Sequence, residues 1–169
     1  MRIIPLLGIA VLAASCSSSP KLSHAFRGDG VSVRYPTGWD ATSRPLTHVT
    51  DPVQVLAVAS YRLPRSNRGD YGCEPKEALD GRPSDGAFIY GWEFSSPKGE
   101  KFPPRPKHFS LTDFERFECL GPSYRFQFRD AGRLFNIHVS LGPKASGGTR
   151  KTVLRILDSL RVTAGTRGR

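Results

Sequence analysis

The sequence predicts an α+β fold, an antiparallel β-sheet packed with helices, from three observations. The first is a period-two hairpin. Tyr124, Phe126 and Phe128 alternate with Arg125, Gln127 and Arg129, and after a turn at 130–133, Phe135, Ile137, Val139 and Leu141 alternate with Asn136, His138 and Ser140. One face of such a ladder is apolar and dry, the other polar and wet. The second is one amphipathic helix. Val153, Ile156, Leu157 and Leu160 fall on a single stripe, with Thr149 as the expected N-cap and an end near Ser159. The third is the spacing of the remaining β-rich runs. They do not alternate with helices, so a parallel doubly wound sheet is excluded.

In chain order, Met1-Arg2 is a short positive start, and Ile3 to Ser15 follows without a charge. Small residues then lead into Cys16 and a Ser17-Ser18-Ser19-Pro20 tether. A basic start, a short apolar stretch and small residues at a cut describe a secretory signal over 1–15. As helix the apolar stretch rises only about 20 Å, short of a hydrocarbon core of about 30 Å. Leu12-Ala13-Ala14-Ser15-Cys16 resembles a bacterial lipobox, with Ala13 where Leu is commoner. The resemblance implies cleavage before Cys16 and a diacylglyceryl group on its thiol. A plain signal peptide cut elsewhere is the alternative. Residues 16–24 then form a lipidated Cys and linker, 25–163 one α+β domain, and 164–169 a basic tail.

Within the domain, Val31, Val33 and Tyr35 share one face of a first strand, which Pro36 stops for want of an N–H. Residues 53–63 hold apolar side chains on both faces, as an inner strand does. A helical turn or two over 75–79 ends at Gly81. Residues 87–95 and 114–120 are further strands, and 161–163 is a last one. Residues 96–108 carry four prolines and four Lys/Arg, and read as a rigid connection lying over the sheet, or else as a stiff segment shown to a partner.

Two segments together resemble a known family. Val31-Ser32-Val33-Arg34-Tyr35-Pro36-Thr37-Gly38-Trp39 resembles the opening of PsbP/Mog1-like domains, and 154–162 resembles their closing helix and strand. The resemblance implies a sandwich of antiparallel sheet and helices, with non-enzymatic roles in assembling a complex or binding a protein. It supplies no catalytic residue. The whole chain is similar to small secreted lipoproteins of high-GC bacteria, and its 18 Arg to 7 Lys fit such a genome.

The 169 residues suit a single domain with a true core, and 10% aromatic content is too rich for disorder. Three cysteines are odd in number. With lipid on Cys16, Cys73 and Cys119 remain, and an oxidising compartment makes a disulfide their default. Zinc is the rival, but the chain has no C-x-x-C and no His pair at ligand spacing. Catalytic, cofactor-binding and metal-binding residues are all expected to be none. G-x-S-x-G, a P-loop and H-E-x-x-H are absent. Glu74 with Glu77, and Glu115 with Glu118, read as solvated faces. His138, expected on the wet hairpin face, is the one candidate for a catalytic group brought together by the fold.

The net charge of +10 is the strongest functional signal. Lys98, Lys101, Arg105 and Lys107 lie in the Pro-rich loop, and Arg125, Arg129 and Arg133 on or near the hairpin. These seven are the candidate anion-binding residues; Arg150, Lys151 and Arg155 add charge at the last helix. Export excludes nucleic acid as the natural partner and substitutes lipid headgroups, an anionic wall polymer or an envelope protein. The plainer reading of the charge is solubility. The expected function is a lipoprotein held at the outer face of the membrane through Cys16, acting as a non-catalytic binding or scaffolding module. An envelope hydrolase with a fold-assembled site is the alternative.

Overall fold

The computed structural model describes residues 20–65, 72–95 and 101–164. Nine strands form within them: β1 His24–Gly28, β2 Val31–Tyr35, β3 Asp40–Thr42, β4 Val53–Ala59, β5 Ala87–Phe94, β6 Phe114–Phe117, β7 Gly121–Asp130, β8 Arg133–Leu141 and β9 Arg161–Val162. Two helices accompany them, α1 Lys76–Asp80 and α2 Gly147–Asp158. Every strand ladder is antiparallel. The class is α+β, as expected, but the strands divide into two sheets, β3-β4-β5-β8-β7-β6 and β1-β2-β9. The expected cysteine, lipidation and signal features at 1–16, and Lys98 in the Pro-rich loop, lie outside the described residues.

The hairpin β7–β8 forms in the expected register, Tyr124 facing Val139 and Phe128 facing Phe135. Ala131 and Gly132 turn it with φ of 50° and 75°, the left-handed pair that suits right-twisted strands. A second such turn, Asp29-Gly30, folds β1 onto β2. The sequence reading places residues 16–24 in a linker and its first strand at Val31–Tyr35, and so misses β1 altogether. Its residues are mostly exposed and Phe26 is its one large apolar side chain, too little to mark a strand without the turn and the partner strand. The helix cap is also corrected: Ser146 rather than Thr149 is the N-cap, its hydroxyl accepting from the Thr149 N–H at 3.0 Å.

Two cores lie on opposite faces of the six-stranded sheet. On one face, Val153, Ile156, Leu157 and Leu160 of α2 and Val31 and Val33 of β2 pack onto Val58, Ile89, Phe128, Phe135, Ile137 and Val139. On the other, Ala57, Phe88, Tyr90 and Trp92 are covered by α1 through Ala78 and by loop residues Leu46, Leu63, Cys119 and Leu120. This second cover overturns the expected wet face. Asn136, His138 and Ser140 are buried, His138 completely. Alternation correctly marks which side chains share a face, but it does not say whether loops from elsewhere close over it.

The Pro-rich connection is packed. Pro104 bridges Arg129 in parallel, the Arg105 N–H donates to the Arg129 carbonyl at 3.0 Å, and the Arg129 N–H to that of Pro103 at 2.7 Å. Residues 103–105 thus cover the edge of β7 beyond the reach of β6, as a rigid connection over the sheet would.

Candidate functional site

Cys73 and Cys119 are joined by a disulfide, their Cα atoms 5.2 Å apart. Cys119 sits in the tight turn between β6 and β7, and Cys73 just ahead of α1. The bond therefore ties the loops that cover the second core to one another.

The six described members of the expected anion-binding set do not form one surface. Arg133 is withdrawn from it. It is 9% exposed and grips the buried Glu93 through two bonds, Nε to Oε1 at 3.0 Å and Nη2 to Oε2 at 2.6 Å. Its Nη2 also donates to the Asp29 carbonyl at 2.8 Å, which ties the small sheet to the large one. Gly30 has a φ of 69°, which itself favours glycine, and a Cβ there would also lie 2.6 Å from Arg133 Nη1. Arg125 lies 3.7 Å from Glu115, across a cleft of about 330 Å³ lined also by Pro103, Asp113 and Gln127. Lys101, Lys107 and Arg129 are exposed.

Arg105 and Lys107 do meet, in an open cleft of about 520 Å³ that they share with Pro106, His108, Asp130, Asp158 and Arg161. The carboxylates temper its charge. Arg105 pairs with Asp130 at 3.4 Å, and His108 Nδ1 lies 3.3 Å from Asp158 Oδ2. Asp158 also accepts from the Phe109 N–H at 2.9 Å, and Arg161 donates to the Asp158 and Leu160 carbonyls. Much of this cationic charge thus satisfies the end of α2, where cations are favoured. His108 and Arg161 were not foreseen, because residues fifty positions apart meet only through the fold.

Two hydroxyl–imidazole pairs occur among the described residues: exposed Thr37 with His24, Oγ1 to Nε2 at 3.2 Å, and Ser123 with His138, Oγ to Nδ1 at 3.2 Å; the second lies in the core. Ser123 and His138 are completely buried. Phe117 stacks on the imidazole at 4.4 Å and Trp92 meets it edge-on at 5.5 Å. Burial, and secondarily the Arg125 charge, pull the His138 pKa down to about 3. The ring is therefore neutral at physiological pH, and in this conformation a substrate carbonyl has no path to Ser123. His138 Nε2, Trp92 Nε1 and Asn136 Oδ1 make no hydrogen bond among the described residues.

The start of the described chain is held by arginines. Arg155 Nη1 donates to the Pro20 carbonyl at 2.7 Å, and Arg34 Nη2 to the Leu22 carbonyl at 2.9 Å. Leu22 packs against the first core. Pro20 lines a cleft of about 340 Å³ with Trp39, Ser60, Pro83, Asp85, Gly148, Thr149 and Thr152.

Comparison with known proteins adds no relative: no family model matches the chain, and no curated protein or solved structure matches it significantly. No described helix is long and apolar enough to cross a membrane.

Proposed function

We propose that the chain is an exported lipoprotein, tethered by lipid on Cys16 to the outer face of the cell membrane, where it acts as a non-catalytic binding or scaffolding module. The observation that carries this reading is the Cys73–Cys119 bond. It uses two of the three thiols in the manner of an oxidising compartment and leaves Cys16, in its lipobox-like setting, as the third. The diacylglyceryl attachment brings the two chains that stable anchoring needs. Intact mass of protein extracted from the membrane fraction tests it. A chain beginning at a lipidated Cys16 that gains two protons on reduction is the expected result. An unprocessed Met1 with three free thiols sinks the proposal.

A second reading, binding of an anionic wall polymer, is favoured by the cleft of Arg105, Lys107, His108 and Arg161. Its test is titration with inorganic polyphosphate at low and high ionic strength. Affinity that falls steeply with salt supports it, and affinity indifferent to salt removes it.

We further propose that the domain is a PsbP/Mog1-like sandwich. The strand that stops at Pro36 ahead of Trp39, and α2 running into β9 beside β2, support this. An experimental structure whose strand order departs from that family's would refute it.

A further inference from the structure

The two arginine bonds to the tether bear on how the domain sits on its membrane, a question that rests on the anchoring proposed above. Pro20 lies against α2, along the flank that runs from Gly148 through Thr152 to Arg155. A lipidated Cys16 is four peptide links from Pro20, and so at most about 14 Å of extended chain away. The flank of α2 at Pro20 therefore stays within that distance of the bilayer surface. Lys151 stands one turn before Arg155 on the outward side of α2 and is exposed. Lys21, next to Pro20, and Arg34, which holds Leu22, are exposed as well. Asp85 lines the Pro20 cleft, and Asp158, at the end of α2, already accepts from the Phe109 N–H.

We infer that the face formed by Lys21, Arg34, Lys151 and Arg155 docks on the membrane that carries the anchor, and that its partner is a bilayer bearing anionic phospholipid headgroups. Lipid attachment and cationic face act together. The tether holds the face within reach, and each added Lys or Arg raises its occupancy of an anionic surface by roughly fivefold. Because screening confines that attraction to about 8 Å at physiological ionic strength, a face elsewhere on the domain would gain little. The second core, which α1 covers through Ala78, lies on the opposite face of the six-stranded sheet, and Lys76 of α1 forms no part of the first core.

The test is lysine acetylation footprinting of the lipidated protein, reconstituted in vesicles of phosphatidylcholine alone or with about one-third phosphatidylglycerol. Labelling of Lys21 and Lys151, each divided by that of Lys76, is expected to drop about threefold or more in the anionic vesicles. About 0.5 M salt returns it to the neutral-vesicle value, and Lys151→Glu speeds labelling of Lys21. Equal ratios in both vesicles, on protein whose mass shows the lipid, overturn the orientation while leaving the anchor standing. A mass without lipid on Cys16 removes the anchor itself, and the orientation falls with it.

Discussion

The two faces of the six-stranded sheet are covered in different ways. One is closed mainly by α2 and the small sheet, regular elements whose fully buried side chains are chiefly aliphatic, with Phe109 added from the connection ahead of β6. The other is closed by α1 and by loops, and beneath them lie Gln54, Asn136, His138 and Ser140 together with three aromatic rings of β5. Loop backbone can meet a polar group placed there. Gln54 shows this most plainly: its Oε1 accepts from the Leu46 N–H and its Nε2 donates to the Arg44 carbonyl, each at 2.8 Å. A regular element saturates its own backbone and asks its neighbours only for apolar surface. A loop arrives with unpaired N–H and C=O groups and needs polar partners below it. The loop-covered face is also the one that carries the covalent bond.

The largest effect is expected where the small sheet joins the large one. Arg133→Ala removes both arginine bonds from the buried Glu93 carboxylate and releases the Asp29 turn, and should cost about 3–5 kcal/mol in denaturant unfolding. The double variant Arg133→Met with Glu93→Leu should regain most of that loss. A single variant as stable as the parent would mean the ion pair does not link the sheets.

Next comes the disulfide. It closes a 46-residue separation, and its removal by the pair of changes Cys73→Ala and Cys119→Ala should cost at most about 4 kcal/mol. Hydrogen exchange sharpens the contrast between the faces. Amides of 114–120 and 76–80 should lose protection well before those of α2. Uniform loss across both faces would show that they unfold as one unit.

Smaller again near neutral pH, though growing with acid, is the response of the loop-covered face. His138 has a folded pKa near 3, below its unfolded value of about 6.5. Stability from keeping it neutral is whole above the unfolded pKa and is lost as pH falls from there towards the folded one. The loss is about 1.4 kcal/mol per pH unit inside that window. His138→Leu should flatten this part of the stability–pH curve, and an unchanged slope would place the titration elsewhere. The smallest change belongs to the helix-covered face: Ser146→Ala removes the cap of α2 and should lower stability by about 1 kcal/mol, with little dependence on acid.

Legibility in the sequence followed the same division. The hairpin and α2 could be read because a whole element repeats one period, and the side chains that share its face are neighbours in sequence. β1 and β3 could not, since their residues are half-exposed or exposed and their strand character comes from partners at β2 and β4. Burial of His138 was missed for a related reason. Alternation put it correctly opposite Val139, but its cover comes from Phe117 and Trp92 on other strands. Of the seven candidate anion-binding residues, charge and proximity in sequence selected all alike. Their separation into a buried pair at Arg133, a tempered cleft at Arg105 and Lys107, and exposed Lys101 and Arg129 depends on where carboxylates arrive from distant segments.

By itself the sequence determined the α+β class, the hairpin, the closing helix and the pairing left open to Cys73 and Cys119. These rest on local periodicity and on counting, which need no knowledge of the fold. Only the tertiary structure decided that there are two sheets, that the polar face of β8 is buried, that Arg133 serves Glu93, and that Arg34 and Arg155 hold the chain at Pro20 and Leu22. Each of those joins residues far apart in the chain. The energy of such a contact depends on distance in space and on the water it excludes, and neither is written in the spacing of residues along the sequence.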